Sequence, residues 1–393
     1  MKVLYITNKP IYPNIDGGCV AMVNFLQCLL HKDISTKHLL IHTQKHPFVL
    51  GNYPDELVQK VKPEAVFINT TVTPKRAIGN ILKKGSYNVN RFHSDEMEKL
   101  ISAELKADNY TTVILESLFV TPYLPIIRKN FSGKVFVRTH NVESNIWGGL
   151  ADSTKDFARK RYLRKLAKDL RTYEVNTLNT VDGILALSNM DIEAFKAQGV
   201  ETASTLIPVA IELNNETANT EINHFFHLGV MNWQPNIQAA QRLVKIFPAI
   251  RQQVPDAKLR IAGKYAKEVI TENIEDGIIV DGFVDDAKAY SREAGILVSP
   301  ILSGSGIRIK LLEAMALGIP SVTTTLGAQG IHYMNSKCLI VRDSDDEITQ
   351  ACIELARDKN LREEISKNAR DYIRKNHNID SISSEIVEFI EHT

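Results

Sequence analysis

A short loop that runs directly into an apolar helix is the part of this sequence whose side chains could bind a charged ligand. It spans residues 303–320, and the helix carries only three polar side chains, those of Arg308, Lys310 and Glu313. The loop follows residues 296–298, an apolar run typical of a buried strand. Backbone N–H groups and the helix dipole attract an anion at such a junction, and two cations at a buried helix start would be costly without a negative partner. The sequence therefore predicts a phosphate site; the alternative is a solvated helix start in which Lys310 pairs with Glu313.

Two series of alternating strands and helices would position this site. Apolar, strand-like runs separated by helical stretches recur through both halves of the chain, as is typical of doubly wound parallel sheets. We expect residues 1–207 and 224–375 to form two Rossmann-like α/β domains, joined by a polar linker over residues 208–223. Ligands of open α/β sheets bind at the carboxyl ends of the strands, so the two domains are expected to face a central cleft. A last helix in residues 376–393 is expected to cross back to the first domain.

The composition excludes several classes of protein. With 393 residues, 44% of them hydrophobic and 24% charged, the chain has the make-up of a soluble globular protein of two domains. Its formal net charge of +1 argues against a nucleic-acid partner. Four cysteines without short paired spacing indicate reduced, mostly buried thiols of a cytoplasmic protein. No apolar segment is long enough to span a bilayer, and the apolar run at residues 3–6 is too short for a signal peptide.

Two charged stretches allow more than one interpretation. The sequence Asp-Ser-Asp-Asp at residues 343–346 resembles a metal-binding cluster, but acidic residues also complement the dipole of a helix that begins there, and we expect no metal.

The second stretch, residues 159–171, predicts a basic amphipathic helix. Such a helix can lie on anionic lipid, which would give a peripheral contact at the inner membrane face. A solvated face with its leucines packed inward is the favoured alternative.

Short segments spread over nearly the whole chain resemble the retaining, nucleotide-sugar-dependent glycosyltransferases of family four (glycosyl transferases group 1), which have the GT-B fold. The segments are residues 8–18, 140–143, 229–236, 261–263, 282–284, 299–300, 304–320 and 327–331. Each is weak by itself, and their order and spacing carry the resemblance. It implies that the second domain binds a nucleoside-diphosphate sugar and that the first binds the acceptor.

The resemblance also implies roles for single residues. Glu313 matches the second of two family glutamates and would bind the nucleotide ribose, whereas Arg308 and Lys310 would hold the diphosphate and His140 would contact the transferred sugar. The remaining donor-binding positions are Gly17, Gly18, Asn232, Gly263, Phe283, Val284, Gly304, Ser305, Gly306 and Ile307.

Alternatives stay open for several of these positions. Gly17 and Gly18 could simply form a turn, and Asn232 or Asn236 could cap a helix that begins near Pro235. The ring of Phe283 could belong to the core, and a lone histidine such as His140 is more often structural.

One departure from the family pattern bears on activity. The first family glutamate, which normally contacts the transferred sugar, is replaced by Ser305. The loop at residues 229–236 also lacks the cation that many relatives bring to the diphosphate, so Arg308 and Lys310 would take over that role.

The expected function is retaining transfer of a hexose-type sugar to a carbohydrate or lipid-linked acceptor in surface polysaccharide biosynthesis. A leaving phosphate oxygen would take the acceptor proton, so paired carboxylates are not expected. The resemblance also implies that neither a metal nor a cofactor is needed. Two alternatives remain: a nucleotide-sugar epimerase, and a catalytically silent scaffold that binds nucleotide. The replacement at Ser305 motivates the second.

Overall fold

The computed structural model of the chain describes residues 1–14, 16–71, 86–213, 217–219, 224–272, 274–304, 306–331 and 337–393. These residues divide into two compact units. The first contains residues 1–209 together with 380–393, and the second contains residues 210–379. The expected linker at 208–223 thus falls almost wholly in the second unit, and parts of it lie outside the described residues.

The first unit is built on a parallel sheet of seven strands in the order β3-β2-β1-β4-β5-β6-β7. The strands are β1 (Lys2–Thr7), β2 (Ser35–His42), β3 (Glu64–Phe67), β4 (Thr112–Glu116), β5 (Lys134–Thr139), β6 (Gly183–Ala186) and β7 (Ser204–Leu206). The helices described in this unit are α1 (Gly17–His31), α2 (Asp55–Val61), α3 (Tyr87–Asn90), α4 (Asp95–Ala107), α5 (Leu124–Asn130), α6 (Glu143–Ser153), α7 (Phe157–Leu178) and α8 (Asn189–Gln198). The strand order reverses between β1 and β4, which is where doubly wound sheets place their ligands.

A final helix, α15 (Ile379–His392), packs on this first sheet. Lys134 on β5 donates from Nζ to the backbone carbonyls of Ile390 and Glu391 at 2.8 and 2.9 Å. The rings of Phe136 and Phe389 lie 5.9 Å apart. Side chains at helical spacing along α15 are buried, and these contacts attach the end of the chain to the first unit.

The second unit repeats the architecture with a six-stranded parallel sheet in the order β10-β9-β8-β11-β12-β13. Its strands are β8 (Phe225–Leu228), β9 (Leu259–Ala262), β10 (Ile278–Gly282), β11 (Ile296–Ser299), β12 (Ser321–Thr323) and β13 (Ile340–Val341). Its described helices are α9 (Gln234–Gln253), α10 (Ala266–Val269), α11 (Ala287–Ala294), α12 (Ile309–Ala316), α13 (Asp345–Arg357) and α14 (Lys359–Asn376). The order reverses between β8 and β11. The predicted fold class, two doubly wound parallel α/β sheets, is confirmed.

Several smaller predictions can be compared with the structure. All four cysteines are free and buried, as expected. The acidic run begins α13, where Ser344 and Glu347 form a reciprocal capping box, so the helix-start interpretation is confirmed. The basic helix is α7, and it buries Leu163, Leu166 and Leu170, as the favoured alternative required. Within the described chain, every helix is either too short or too polar to cross a bilayer.

Candidate functional site

The candidate phosphate site lies where β11 leads into α12. The helix begins at Ile309, and Arg308 occupies the cap position without a side-chain capping bond. At its other end, Gly318 has a φ of +71°, and the N–H of Ile319 bonds back to the carbonyl of Ala314 at 2.8 Å. This is the glycine termination that the sequence predicted. The short helix is therefore fixed at both ends, and Arg308 and Lys310 are held at its start.

The guanidinium of Arg308 is buried inside this loop. The residue is only 4% exposed, Nη1 donates to the carbonyl of Gly306 at 2.8 Å, and the guanidinium carbon lies 5.5 Å from the centre of the Trp233 ring. Burial lowers the pKa of Arg308 to about 10. A side chain on Gly304, whose φ is +92°, would press on Trp233 and Pro235, so glycine allows the loop to lie against the segment after β8. The alternative of a solvated helix start is wrong for Arg308.

Lys310 lies next to Arg308 and has a neutral hydrogen-bond partner. Its Nζ donates to Oδ1 of Asn236 at 2.8 Å, and Nδ2 of Asn236 donates to the carbonyl of Val230 at 3.1 Å. Burial, and then the nearby charge of Arg308, lower the pKa of Lys310 to about 7. The structure describes the side chains of both Lys310 and Glu313, and these two side chains form no ion pair with each other. The predicted alternative of a Lys310–Glu313 pair is therefore wrong.

Glu313 faces a small cavity one turn further along α12. The cavity has a volume of about 30 Å³ and is also lined by Lys288 and Lys310. Burial raises the pKa of Glu313, and the charge of Lys288 opposes this shift. No hydrogen bond from the described residues reaches the Glu313 carboxyl group. The carboxyl group therefore keeps hydrogen-bond acceptor capacity that the described residues do not use.

The other candidates in the second unit differ in placement. Gly263 has a φ of +129°, and a Cβ there would overlap the carbonyl oxygen of Gly229, so only glycine lets the loops after β8 and β9 meet. Phe283 is 65% exposed, which makes the core alternative wrong, and Val284 is half-buried beside it. Asn232 is exposed. Gly306 is buried and Ile307 half-buried, whereas Ser305 lies outside the described residues.

The helix-cap alternative for the two asparagines is also wrong. The residue at the cap position of α9 is Trp233, which makes no side-chain capping bond, and α9 begins at Gln234. Asn236 is only 6% exposed and binds Lys310 instead. Asn236 therefore belongs to the candidate site and does not serve as a helix cap.

In the first unit, Gly17 and Gly18 begin helix α1 and do not form a loop before it. The reason is Asp16, whose side chain accepts the N–H of Cys19 at 2.9 Å and thereby caps the helix. Asp16 is held in turn by Lys9, whose Nζ lies 2.7 and 2.8 Å from its two carboxylate oxygens. The glycines thus place backbone N–H groups in the first turn of a 15-residue helix, a position that favours an anion.

His140 follows β5 and belongs to a buried network that the sequence analysis missed. Its Nε2 is hydrogen-bonded to Oε1 of Glu116, the last residue of β4. The same carboxylate accepts from Arg138 Nη1 at 2.5 Å and from the hydroxyl of Tyr5 at 2.6 Å. Arg138, followed by His140 and Tyr5, holds the pKa of Glu116 at about 2 against the opposing effect of burial. A charged residue ending an apolar strand, as Glu116 does, was the signal that could have revealed the network.

A second group of carboxylates surrounds the start of α6, next to His140 in the chain. Glu174 is 1% exposed, accepts the N–H of Glu143 at 2.9 Å and binds both the N–H and the hydroxyl of Ser144. Burial, followed by the charges of Glu174 and Asp191, raises the pKa of Glu143 to about 8. These carboxylates act as caps that fix the first turn of α6.

Among the described residues, one group could bring three metal ligands together. His93, Asp95 and Glu98 place ligand atoms within 4.8 Å of one another at the start of α4, where His93 and Glu98 already bond at 2.9 Å. His93 and Asp95 are exposed and Glu98 is half-buried, and exposed acidic groups are common without a metal, so we assign this group no role in the site.

Comparison with known proteins gives a family match that lies within the second unit. Residues 223–358 match the sequence model of the family described as glycosyl transferases group 1. An uncharacterized 44.6 kDa protein in the cps region of Klebsiella pneumoniae is 24% identical over 98% of each chain. Among solved structures, sucrose-phosphate synthase from Thermosynechococcus elongatus superposes with a TM-score of 0.72 at 12% identity, covering 100% of this chain and 99% of its own.

A second solved structure was determined with a nucleotide. Anabaena HepE in complex with UDP superposes with a TM-score of 0.69 at 12% identity over 100% of both chains, and the same protein was also solved with UDP-glucose. The resemblance to group 1 glycosyltransferases and the GT-B fold are thereby confirmed.

Proposed function

We propose that this chain is a retaining glycosyltransferase that moves a hexose from a nucleoside-diphosphate sugar to a carbohydrate or lipid-linked acceptor. The observation that carries the proposal is the start of α12, where Arg308 and Lys310 lie close together at the carboxyl end of β11 and both have pKa values lowered by burial. Placing two like charges side by side away from water is unfavourable, and an anion bound between them offsets that cost. A diphosphate supplies that anion, and the match to group 1 glycosyltransferases supports the assignment.

The two cations would act on the leaving group. Breaking the bond between the sugar and the diphosphate places negative charge on the departing phosphate, and preorganised donors stabilise that charge most effectively. Each charge-assisted hydrogen bond contributes about 1.5–3 kcal/mol. Arg308, Lys310 and the backbone amides of Gly304, Gly306 and Ile307 together would supply enough positive charge, so we propose that the reaction needs neither a metal nor a cofactor.

The remaining donor contacts follow from the placement of side chains in the second unit. Glu313, facing its cavity, would accept hydrogen bonds from the ribose hydroxyls. The exposed ring of Phe283 and the backbone of Val284 would contact the base. HepE was solved with UDP and with UDP-glucose, which favours a uridine nucleotide as the first donor to test.

In the first unit, His140 would contact the transferred sugar, and the first turn of α1 at Gly17 and Gly18 would approach the diphosphate. Retention of configuration is proposed because the family resemblance implies that acceptor and leaving group share one face of the sugar. A leaving phosphate oxygen then takes the acceptor proton, so no carboxylate base is required. A role in surface polysaccharide synthesis is supported by the relative in the cps region of Klebsiella pneumoniae.

We further propose that the connection between α6 and α7 touches the inner membrane face. Phe157 is 79% exposed at the start of the basic helix α7, and Leu150 and Ile146 on α6 are 43% and 38% exposed. Apolar side chains next to lysines and arginines fit the boundary of an anionic bilayer.

Vesicles with anionic lipid should retain more of the protein than vesicles of zwitterionic lipid, and Phe157→Ser should weaken this retention. Met190→Ser, which removes an exposed apolar residue on α8, should not; equal effects of both variants would contradict the contact.

The transfer reaction is tested with a panel of UDP-, GDP- and ADP-sugars, by measuring the release of UDP, GDP or ADP. We expect release from one class of donor, undiminished by a chelator and lost in Arg308→Met and Lys310→Met. The anomeric proton signals of the product in NMR spectra report retention. If a nucleotide binds but no donor is turned over, the chain is the silent nucleotide-binding scaffold that the replacement at Ser305 suggests.

A further inference from the structure

The buried network behind His140 contains one carboxylate and three donors. Glu116 and Arg138 are register partners on β4 and β5 and are 0% and 1% exposed, and Tyr5 on β1 is fully buried. Oε2 of Glu116 accepts from Tyr5 at 2.6 Å, and Oε1 is shared by Arg138 and His140. Three neighbouring β-strands of the sheet, β1, β4 and β5, therefore hold this carboxylate in one orientation.

The charge state of Glu116 follows from this geometry. Arg138 places a permanent positive charge 2.5 Å from Oε1 and is itself stacked 4.6 Å from the ring of Phe25, so the carboxylate is ionised and its pKa is about 2. An ionised carboxylate can only accept hydrogen bonds. The hydrogen between it and the imidazole of His140 must therefore belong to Nε2.

Arg138 is the second neighbour of Nε2 of His140. The distances from Nη1 of Arg138 to its two neighbours decide which of them accepts the Nη1 hydrogen. Nη1 of Arg138 lies 3.3 Å from Nε2 of His140 but 2.5 Å from the Glu116 oxygen. The shorter contact and the negative charge draw the Arg138 hydrogen to Glu116. While Glu116 is present, Arg138 therefore donates to the carboxylate and not to the imidazole. Without the carboxylate, Arg138 would donate a hydrogen bond to Nε2 of His140.

The other imidazole nitrogen faces a different environment. No described residue is hydrogen-bonded to Nδ1, and the His140 side chain is 16% exposed. The charged groups acting on the ring are Glu116 of β4, Arg138 of β5 and Asp191 of α8. With Nε2 committed to Glu116, Nδ1 is the nitrogen left to bond a substrate.

We propose that Glu116 is a positioning residue that fixes the Nε2–H form of His140, so that Nδ1 accepts a hydrogen bond from a substrate hydroxyl. The inference rests on the proposed function for the identity of the substrate but not for the state of the imidazole. A neutral imidazole in this form needs a donor opposite Nδ1, and a sugar that lacks the hydroxyl would leave the nitrogen unsatisfied. Sites built in this way discriminate strongly against the deoxy analogue.

The form of the imidazole can be read by NMR without any donor. Long-range proton–nitrogen correlation spectra of the full chain labelled with ¹⁵N-histidine distinguish protonated from unprotonated ring nitrogens. The chain has 11 histidines, and His140→Asn identifies the signals of His140 by their loss. We expect an unprotonated Nδ1 and a protonated Nε2 in the neutral ring. A neutral ring protonated at Nδ1 would overturn the proposal.

Glu116→Leu removes both the charge and the acceptor oxygens. Arg138 then becomes the nearest donor to Nε2, so we expect the hydrogen to move to Nδ1. Tyr5→Phe is the matched control, because it removes one hydrogen bond to Glu116 and keeps the charge; its spectrum should keep the Nε2–H form. An unchanged His140 spectrum in folded Glu116→Leu would refute the role of Glu116.

A buried, unbalanced Arg138 could prevent Glu116→Leu from folding, which circular dichroism would reveal. The double variant E116L/R138M then decides, because it removes both charges and the acceptor oxygens; a mixture of both neutral forms supports the proposal, and a pure Nε2–H form contradicts it. If an active sugar donor is found, the single and double variants at Glu116 should lower kcat about tenfold, which is the effect of one lost hydrogen bond. They should leave the affinity for UDP unchanged, and Tyr5→Phe should leave kcat close to that of the wild type. If the spectra agree but no donor is turned over, the proposed function fails and the assignment of Glu116 stands.

Discussion

Lys310 makes the binding of a nucleoside diphosphate depend on pH. Burial and the neighbouring charge of Arg308 lower its pKa to about 7, so in the free protein it loses its proton as the pH rises through neutrality. A diphosphate binds well only to the protonated amine, and it would raise the pKa of that amine once bound. We therefore predict that the affinity for UDP falls, and that binding takes up a proton, as the pH rises above 7.

The size of the effect follows from the fraction of Lys310 that is protonated. With a pKa of about 7, roughly one tenth of the amine is protonated at pH 8 and roughly one hundredth at pH 9. The apparent affinity for UDP is proportional to the fraction of the protein in which Lys310 is protonated. The dissociation constant for UDP should therefore rise about tenfold for each pH unit above pH 8. The proton uptake should approach about one per UDP bound at pH 8 and above.

Isothermal titration calorimetry measures both quantities. Titrations with UDP between pH 7 and 9, each in two buffers with different ionisation enthalpies, give the affinity and the number of protons taken up. The phosphate of UDP titrates near pH 6, and this range largely avoids it. Lys310→Arg is the matched control, because a guanidinium stays charged throughout and should give a nearly flat profile.

Two results would refute this reasoning. The first is a wild-type affinity that stays constant between pH 7 and 9 without proton uptake, which would mean that Lys310 is either already charged or not in contact with the phosphates. The second is a parallel decline in Lys310→Arg, which would assign the dependence to another group. Lys310→Met should bind UDP weakly at every pH.

Three further predictions concern single residues. Glu313→Ala should weaken UDP roughly tenfold and leave pyrophosphate unaffected, because the lost bonds are to ribose; equal losses in calorimetric titrations would contradict this. Gly263→Ala, whose Cβ would overlap the Gly229 carbonyl at a φ of +129°, should cost about 2–4 kcal/mol in urea unfolding. Gly148→Ala, inside α6 with open space around it, should instead stabilise by about 0.5–1 kcal/mol. Burial raises the pKa of Glu143 from 4.5 to about 8, so between these pH values the folded chain keeps a proton that the unfolded chain releases. The free energy of unfolding should therefore fall as the pH rises from 4.5 to about 8. In urea titrations, Glu143→Gln should flatten this slope.

The fold could be predicted because its signals are local. Strands such as β1 and β4 are apolar runs buried on both faces, and the termination of α12 at Gly318 depends on neighbouring residues only. The turn alternative for Gly17 and Gly18 is wrong, and the signal that decides it is also local. Asp16 caps α1 and draws both glycines into the first turn of the helix.

The side-chain partners within the site could not be predicted, because they connect distant parts of the chain. Lys310 meets Asn236 across 74 residues of sequence, and no periodic pattern records that contact. Glu116 meets Arg138 and His140 only because β4 and β5 are adjacent and in a particular register, which is set by the whole sheet. The sequence therefore showed which residue types gather near the carboxyl ends of strands but not which atoms they bind.

The two units differ in how their buried charges are satisfied, and this difference indicates where a ligand must act. In the first unit, the negative charge of Glu116 is balanced inside the protein by Arg138, so that network is complete without a ligand. In the second, Lys310 donates to the amide oxygen of Asn236 and forms no ion pair with any carboxylate that the structure describes. Neutral acceptors orient a cation but do not cancel its charge. An anionic ligand completes the second site by adding charge, whereas a substrate bound beside His140 needs only to offer a hydroxyl.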